Sequence, residues 1–419
     1  MTSRERVLTT IEHREPDCIP IDFGGTFVSG MHITCVAALR DYYGLESHPV
    51  KLIDPHQVIG LIEPDLQQAM GVDVEGMVSR KTIFGYTNEG WKPWSLHGRL
   101  DVLVPADFNI TTEVGGDILI YPEGDTSAPP SGRMPKDGFY FDSIIRQEPI
   151  DEAALDPEDN LEEYGPISDE DLDWLENQLQ YARTTGRAVA GKVGGTSMGD
   201  IAWLPAPYLK HPKGIRDISE WYISVLTRPD YIHQVFSRQT EIALANLETI
   251  ASRMGDKLDI ITLCGADFGT QDSTFFSVET FRDLWLPYYK KINDWIHANT
   301  EWKIFKHSCG SVETYMEAFI DAGFDIINPV QCSAANMEPS ALKDRYGDRI
   351  TFWGGGVDTQ QTLPFGTPEE VRAQVLRHCE IFAPGGGFIF NAVHNVQANT
   401  PVANMIAMLN AVHEFNGRK

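Results

Sequence analysis

Residues 303–310, KIFKHSCG, and residues 324–331, FDIINPVQ, share one pattern: a short apolar run that gives way at once to His, Cys, Asn or Gln beside a glycine or proline. Runs of similar length recur on both sides, at Arg187-Ala-Val-Ala-Gly-Lys-Val193, Leu258-Asp-Ile-Ile-Thr-Leu263, Ile350-Thr-Phe-Trp353 and Gly387-Phe-Ile-Phe390. Each reads as a buried strand. Helical stretches lie between them, the clearest from Val278 to Ala298, where Phe281, Leu284, Trp285, Tyr288, Ile292, Trp295 and Ile296 fall on one face. Strand alternating with helix predicts a parallel sheet with right-handed crossovers. With Cys18-Ile-Pro-Ile-Asp-Phe23 as an opening strand, a closed (β/α)8 barrel, the TIM-barrel architecture, fits better than an open sheet. No GxGxxG follows that first strand, which removes the usual dinucleotide site.

Outside the alternating part the texture changes. Ser3 to His13 places Val7, Leu8 and Ile11 at helical spacing, with Ser3 as the expected cap and Glu5 in the first turn. From about 80 to 150 the chain turns to short alternating runs, such as Val102-Leu-Val-Pro105 and Asp117-Ile-Leu-Ile-Tyr121, broken by Gly, Pro and Asp. We read this as a β-rich insertion, because it lacks the apolar content for a core of its own, and residues 1–419 as one barrel domain. The acidic run Asp151 to Asp173 reads as a solvated connection into a helix.

Lys and Arg number 34 against 60 Asp and Glu, a formal charge of -26 that repels phosphate backbones and anionic lipid head groups. Nucleic acid and membrane surfaces are therefore poor partners. No stretch approaches the roughly 20 apolar residues of a membrane helix, and the opening MTSRERVLTTIEHREPD has no apolar signal-peptide core, so a cytoplasmic location is expected. Six scattered cysteines, Cys18, Cys35, Cys264, Cys309, Cys332 and Cys379, make no disulfide framework. As thiols they are free to bind metal, although Cys18, Cys35 and Cys379 read as packing residues.

Five consecutive runs end in groups with chemistry: Cys264-Gly-Ala-Asp267 with Gln271, His307-Ser-Cys309-Gly310, Asn328-Pro-Val-Gln331-Cys332, Gly354-Gly-Gly-Val-Asp358 with Gln360, and Asn391-Ala-Val-His394-Asn395. In parallel barrels that rim is where active sites are built. His307 and Cys309, two apart on an extended segment, point the same way and can share one ion. Asp267 is placed to orient a ligand histidine or to hold substrate.

Several of these segments together resemble the uroporphyrinogen decarboxylase superfamily: Phe305-Lys-His307-Ser-Cys309-Gly310, Asn328-Pro-Val-Gln331, Trp353-Gly-Gly-Gly-Val-Asp358-Thr-Gln360 and Ala383 to Gln397. The opening Ser3-Arg-Glu-Arg-Val and His13-Arg-Glu-Pro-Asp17 are similar to its start. The resemblance implies a (β/α)8 barrel and two kinds of activity, metal-free decarboxylation of porphyrinogens or zinc-dependent methyl transfer to or from a corrinoid protein. The decarboxylases carry an Arg-Gln-Ala-Gly-Arg segment after the first strand to hold substrate carboxylates. Here that place reads Gly24-Gly-Thr-Phe-Val-Ser-Gly30, without arginine.

The resemblance thus points to the methyltransferase branch, with zinc as cofactor and the corrinoid supplied by a partner protein. It implies His307 and Cys309 as metal ligands and His394 where the family has a later Cys, a departure that leaves Cys332 as an alternate third ligand; His394 is then a general acid or a donor to substrate. Asp267, Asn328, Gln331 and Asp358 are expected to position a small methyl donor or acceptor, with Gln271, Gln360 and Asn395 as further substrate contacts. The stretch Asp54-Pro-His56-Gln-Val-Ile-Gly60 nearly reproduces a corrinoid-binding motif, but its glycine is one place late and no corrinoid-binding module follows. A decarboxylase of another polycarboxylate and a non-catalytic tetrapyrrole-binding barrel remain the alternatives.

Overall fold

A computed structural model describes residues 1–417. Seven short strands, β1 (Val74–Gly76), β2 (Ala188–Lys192), β3 (Ile260–Thr262), β4 (Lys303–His307), β5 (Ile326–Asn328), β6 (Thr351–Trp353) and β7 (Phe388–Ile389), pair in that order. Every neighbouring pair is parallel. The segment 19–23 closes the ring between β7 and β1. Phe390 N donates to Pro20 O (2.8 Å), Asp22 N to Phe390 O (2.9 Å) and Asp73 N to Ile21 O (2.7 Å). Its expected strand is reduced to one parallel bridge, Ile21 to Phe390, because Pro20 has no N–H to give. The chain is thus a (β/α)8 barrel.

The barrel interior is a small layer of its own: Val74, Ala188, Ala190, Ile260, Phe305, Ile326, Trp353 and Ile389, alternate residues of successive strands. Val7 and Ile11, from the helix Ser3–Ile11, close one end of it, and Val28 packs at the other. That helix is capped by Thr2, not Ser3: Thr2 and Glu5 form a reciprocal capping box, while the Ser3 hydroxyl goes to Asp73 Oδ1 (2.6 Å).

Two further elements differ from the sequence reading. The apolar face from Val278 to Ala298 belongs to two helices, Val278–Leu284 and Leu286–Asn299, because Pro287 lacks a donor and is accommodated only in a first turn. Strand β1 was not expected at all. Its short run is interrupted by Glu75, whose carboxylate pairs with Arg187 (2.8 Å).

The β-rich insertion comprises an antiparallel hairpin, Lys92–Leu96 with Leu100–Val104, and a four-stranded antiparallel sheet from Ile110–Thr112 to Asp142–Ser143. Its buried Phe84, Val102, Phe108, Ile120 and Phe141 join the same apolar cluster that covers the outside of the barrel. The near-motif at Asp54 is a hairpin turn between Leu52–Asp54 and Ile59–Gly60, in which Asp54 Oδ1 accepts from the N–H groups of His56 and Gln57. No helix of the described residues is long and apolar enough to cross a membrane.

Candidate metal centre

Parallel register sets the first part of the site. His307 ends β4 opposite Asn328 at the end of β5, so the two side chains project into the same space. Asn328 Nδ2 donates to the Trp353 carbonyl (2.8 Å), which leaves its Oδ1 to accept from His307 Nδ1 (2.7 Å). The Nδ1 proton fixes the tautomer, and the Nε2 lone pair faces Cys309 Sγ at 3.4 Å. Cys309 is held in turn through its backbone N–H, which donates to Asp267 Oδ1 (2.7 Å). The turn that follows needs glycine: Gly310 has φ +88°, and a Cβ there would stand 2.5 Å from the Gly269 carbonyl oxygen.

His394, on the loop after β7, completes the group. Its ring centre lies 5.3 Å from that of His307 at 72°, and one ligand atom from each of His307, Cys309 and His394 falls within 4.8 Å of the other two. Burial pushes His307 down to about 4 and His394 down to about 3, so both imidazoles are neutral at ordinary pH. Burial also pushes the Cys309 thiol well up. The three groups therefore stand as two nitrogen lone pairs and a thiol that donates to one of them. Replacing that thiol proton by a divalent cation satisfies all three at once, and a nitrogen, nitrogen, sulfur donor set suits zinc. The residues present fit the metal.

The group opens onto a cavity of about 890 Å³, lined by His307, His394 and Asp267 on one side and by Phe27, Lys192, Asp200 and Trp203 on another. Three lysines, Lys51, Lys81 and Lys192, line it against six acids, Asp54, Glu63, Glu75, Asp142, Asp200 and Asp267, and no arginine does among the described residues.

Most other polar strand ends are committed elsewhere. Asn328, expected to position substrate, is fully buried and spent on His307 and Trp353. Gln331 accepts from Gly310 N (2.9 Å) and donates to Gln271 Oε1 (2.9 Å), while Gln271 Nε2 donates to the Ser333 carbonyl (2.6 Å). Gln360 lies beside the same pair, with Oε1 3.5 Å from Gln331 Nε2. These three glutamines tie loops together outside the cavity lining.

Asp358 closes the turn before the next helix, accepting from Gln361 N (2.8 Å) and Thr362 N (3.2 Å). Asn395 joins two loops, accepting from Gly30 N (2.6 Å) and donating to Gln57 Oε1 (2.8 Å). Cys332, the alternate ligand, lies outside the donor group and faces its own loop, with Sγ 3.4 Å from Val330 O. Of the residues expected to contact substrate, Asp267 alone lines the cavity among the described residues.

Lys192, Asp200, Phe27 and Trp203 were not anticipated as site residues. Lys192 ends β2 just as His307 ends β4, and it precedes Val193-Gly194-Gly195, the same change from strand to glycine-bearing loop. Its position was visible, but an apolar run absorbs a single lysine without signalling which way it points.

A family profile described as Uroporphyrinogen decarboxylase (URO-D) matches residues 146–415, which takes in Lys192 and all three donors but not the opening resemblance at 3–17. The uroporphyrinogen decarboxylase of Psychromonas ingrahamii is 22% identical over 250 residues, 58% of this chain and 66% of that protein. The chain thus matches just under two thirds of that relative's length. The uroporphyrinogen decarboxylase of Methylibium petroleiphilum is 30% identical over a shorter span of 105 residues, 24% of this chain and 26% of that one. Among solved structures, a methyltransferase from Methanosarcina mazei covers 99% of both chains with a TM-score of 0.54 at 14% identity, a likeness of fold. The profile match over most of the chain, on a barrel of this build, makes it a member of the uroporphyrinogen decarboxylase family.

Proposed function

We propose that this chain is a zinc-dependent methyltransferase, moving a methyl group between a small compound and the cobalt of a corrinoid carried by a separate protein. One observation carries the reading: two neutral imidazoles and a thiol converge within 4.8 Å at the wall of a cavity large enough for a small organic molecule. His307, Cys309 and His394 would hold the metal. Zinc bound there supplies a Lewis acid for the negative charge left on a phenolate or thiolate when its methyl group departs, or for lowering the pKa of a thiol that attacks. Asn328 keeps His307 in the tautomer that offers Nε2, and Asp267 fixes the Cys309 backbone.

The competing reading, decarboxylation of a polycarboxylate, is supported by the names of the curated relatives. The cavity argues against a highly charged substrate, because no arginine fork is among its described lining residues and, of its six acids, Glu63 and Glu75 alone have an arginine partner, Arg40 and Arg187. The direct test incubates the zinc-supplied chain with methylcobalamin and small thiols, and separately with uroporphyrinogen. We expect thiol methylation, read from the absorbance change as the cobalt–carbon bond breaks, and no CO2 release. Enzymatic CO2 release without methyl transfer would replace this reading by the competing one.

A further inference from the structure

Two lysines lie near the site, Lys306 buried and Lys192 half-buried, and they are solvated in opposite ways. Lys306 is fully buried, and its Nζ donates to the carbonyls of Ala266 (2.8 Å) and His307 (2.7 Å) beside the rings of Phe268 and Tyr289. Two of its three donors are occupied and it points away from the barrel interior, as the alternation from His307 requires. Lys192 ends β2 and lines the cavity. Its Nζ lies 4.7 Å from the centre of the Phe27 ring and 4.4 Å from that of Trp203. Two ring faces attract an ammonium but accept few of its hydrogen bonds. Among the described residues no hydrogen-bond or ion-pair partner reaches it; Asp200 acts on it only through space, and one Asp200 oxygen already accepts from Ala202 N (2.9 Å). Burial lowers the pKa of Lys192, as it does that of Lys306.

An ammonium with free donors, aimed into a cavity and backed by aromatic rings, is half of an ion pair. We propose that Lys192 binds a single anionic group, a carboxylate, sulfonate or phosphate, on a small molecule whose apolar body lies along Phe27 and Trp203. The lining acids without an arginine partner, Asp54, Asp142, Asp200 and Asp267, oppose a second anionic group, so the ligand class is a molecule with one anionic group and not a polyacid. Phe27 also faces His307, with ring centres 6.1 Å apart. Phe27 thus neighbours both Lys192 Nζ and the donor group, so a ligand held along this ring lies near both. Calling this molecule the methyl donor or acceptor rests on the methyltransferase reading; its binding to Lys192 does not.

Calorimetric titration of the full chain tests the proposal, with and without zinc. The probes are benzenesulfonate and methyl phenyl sulfone, which differ in charge more than in shape, followed by benzoate and phenyl phosphate to rank the anions. The sulfonate is expected to bind about tenfold or more tighter than the sulfone. Lys192→Met should erase that preference and Lys192→Arg should keep part of it, with the melting temperature and zinc content of both variants unchanged. Equal binding of the two probes by the wild-type chain, no binding of either, or a preference that survives in Lys192→Met would overturn the proposal. Zinc content is read in the same samples, so a chain that holds no metal yet prefers the sulfonate would sink the methyltransferase reading and leave the anion site standing.

Discussion

At and behind the wall of the cavity built from the ends of β3, β4 and β5, polar side chains are bonded within the protein: His307 to Asn328, Asn328 to the Trp353 carbonyl, Asp267 to the Cys309 backbone, Gln331 to the Gly310 backbone. On the wall built from the loop 24–30, the end of β2 and the loop that follows it, Lys192 meets ring faces and a distant carboxylate. A side chain whose bonds are all made within the protein holds geometry. One with a free donor is available to a ligand. Richness in polar residues therefore marks the rigid wall, and the sparse wall is where a small molecule finds an unmet charge.

The contrast makes graded predictions. Gly310→Ala should be the most damaging change, because a Cβ at φ +88° meets the Gly269 backbone where neither chain segment can yield; a loss of about 3 kcal/mol or more in denaturant unfolding is expected. An ordinary unfolding midpoint would mean that this wall is softer than its bonding suggests. Asn328→Ala should cost about 2 kcal/mol, since it strands a buried imidazole N–H, and should weaken zinc binding about 10-fold to 100-fold. Asp358→Ala should cost about 1 kcal/mol, the value of a side-chain hydrogen bond to the backbone, and leave zinc binding and turnover unaltered. A fall in turnover without a fall in stability would restore Asp358 to the substrate. Lys192→Met should change stability least, by less than about 1 kcal/mol, because an ammonium short of partners gives way to an apolar chain of similar length.

How far the sequence carried follows from the same physics. The strands at 188–192, 303–307 and 351–353 were legible because a strand enclosed in a barrel must be apolar on both faces. Strand β1 was not, since Glu75 breaks its short run and only its partners Arg187 and Gln67 explain it. His307 and Cys309 were legible as a pair because i, i+2 spacing on an extended chain fixes direction locally. The resemblance brought in His394, which the fold then placed beside them. Asn328, Gln331, Gln271, Gln360, Asp358 and Asn395 were located at the rim, but sequence gives a side chain's place and not its partner. Lys192 shows the converse: one charge in an apolar run looks incidental until the rings around it are known.

The three-donor centre is the claim on which the functional reading stands, and metal content tests it most directly. The chain, purified without chelator, supplied with zinc and desalted, should hold about one zinc per chain by elemental analysis. His307→Ala, Cys309→Ser and His394→Ala should each lose most of it, whereas Cys332→Ser should retain it. A folded wild-type chain that holds no zinc, or a centre that survives His394→Ala and is lost in Cys332→Ser, would contradict the account.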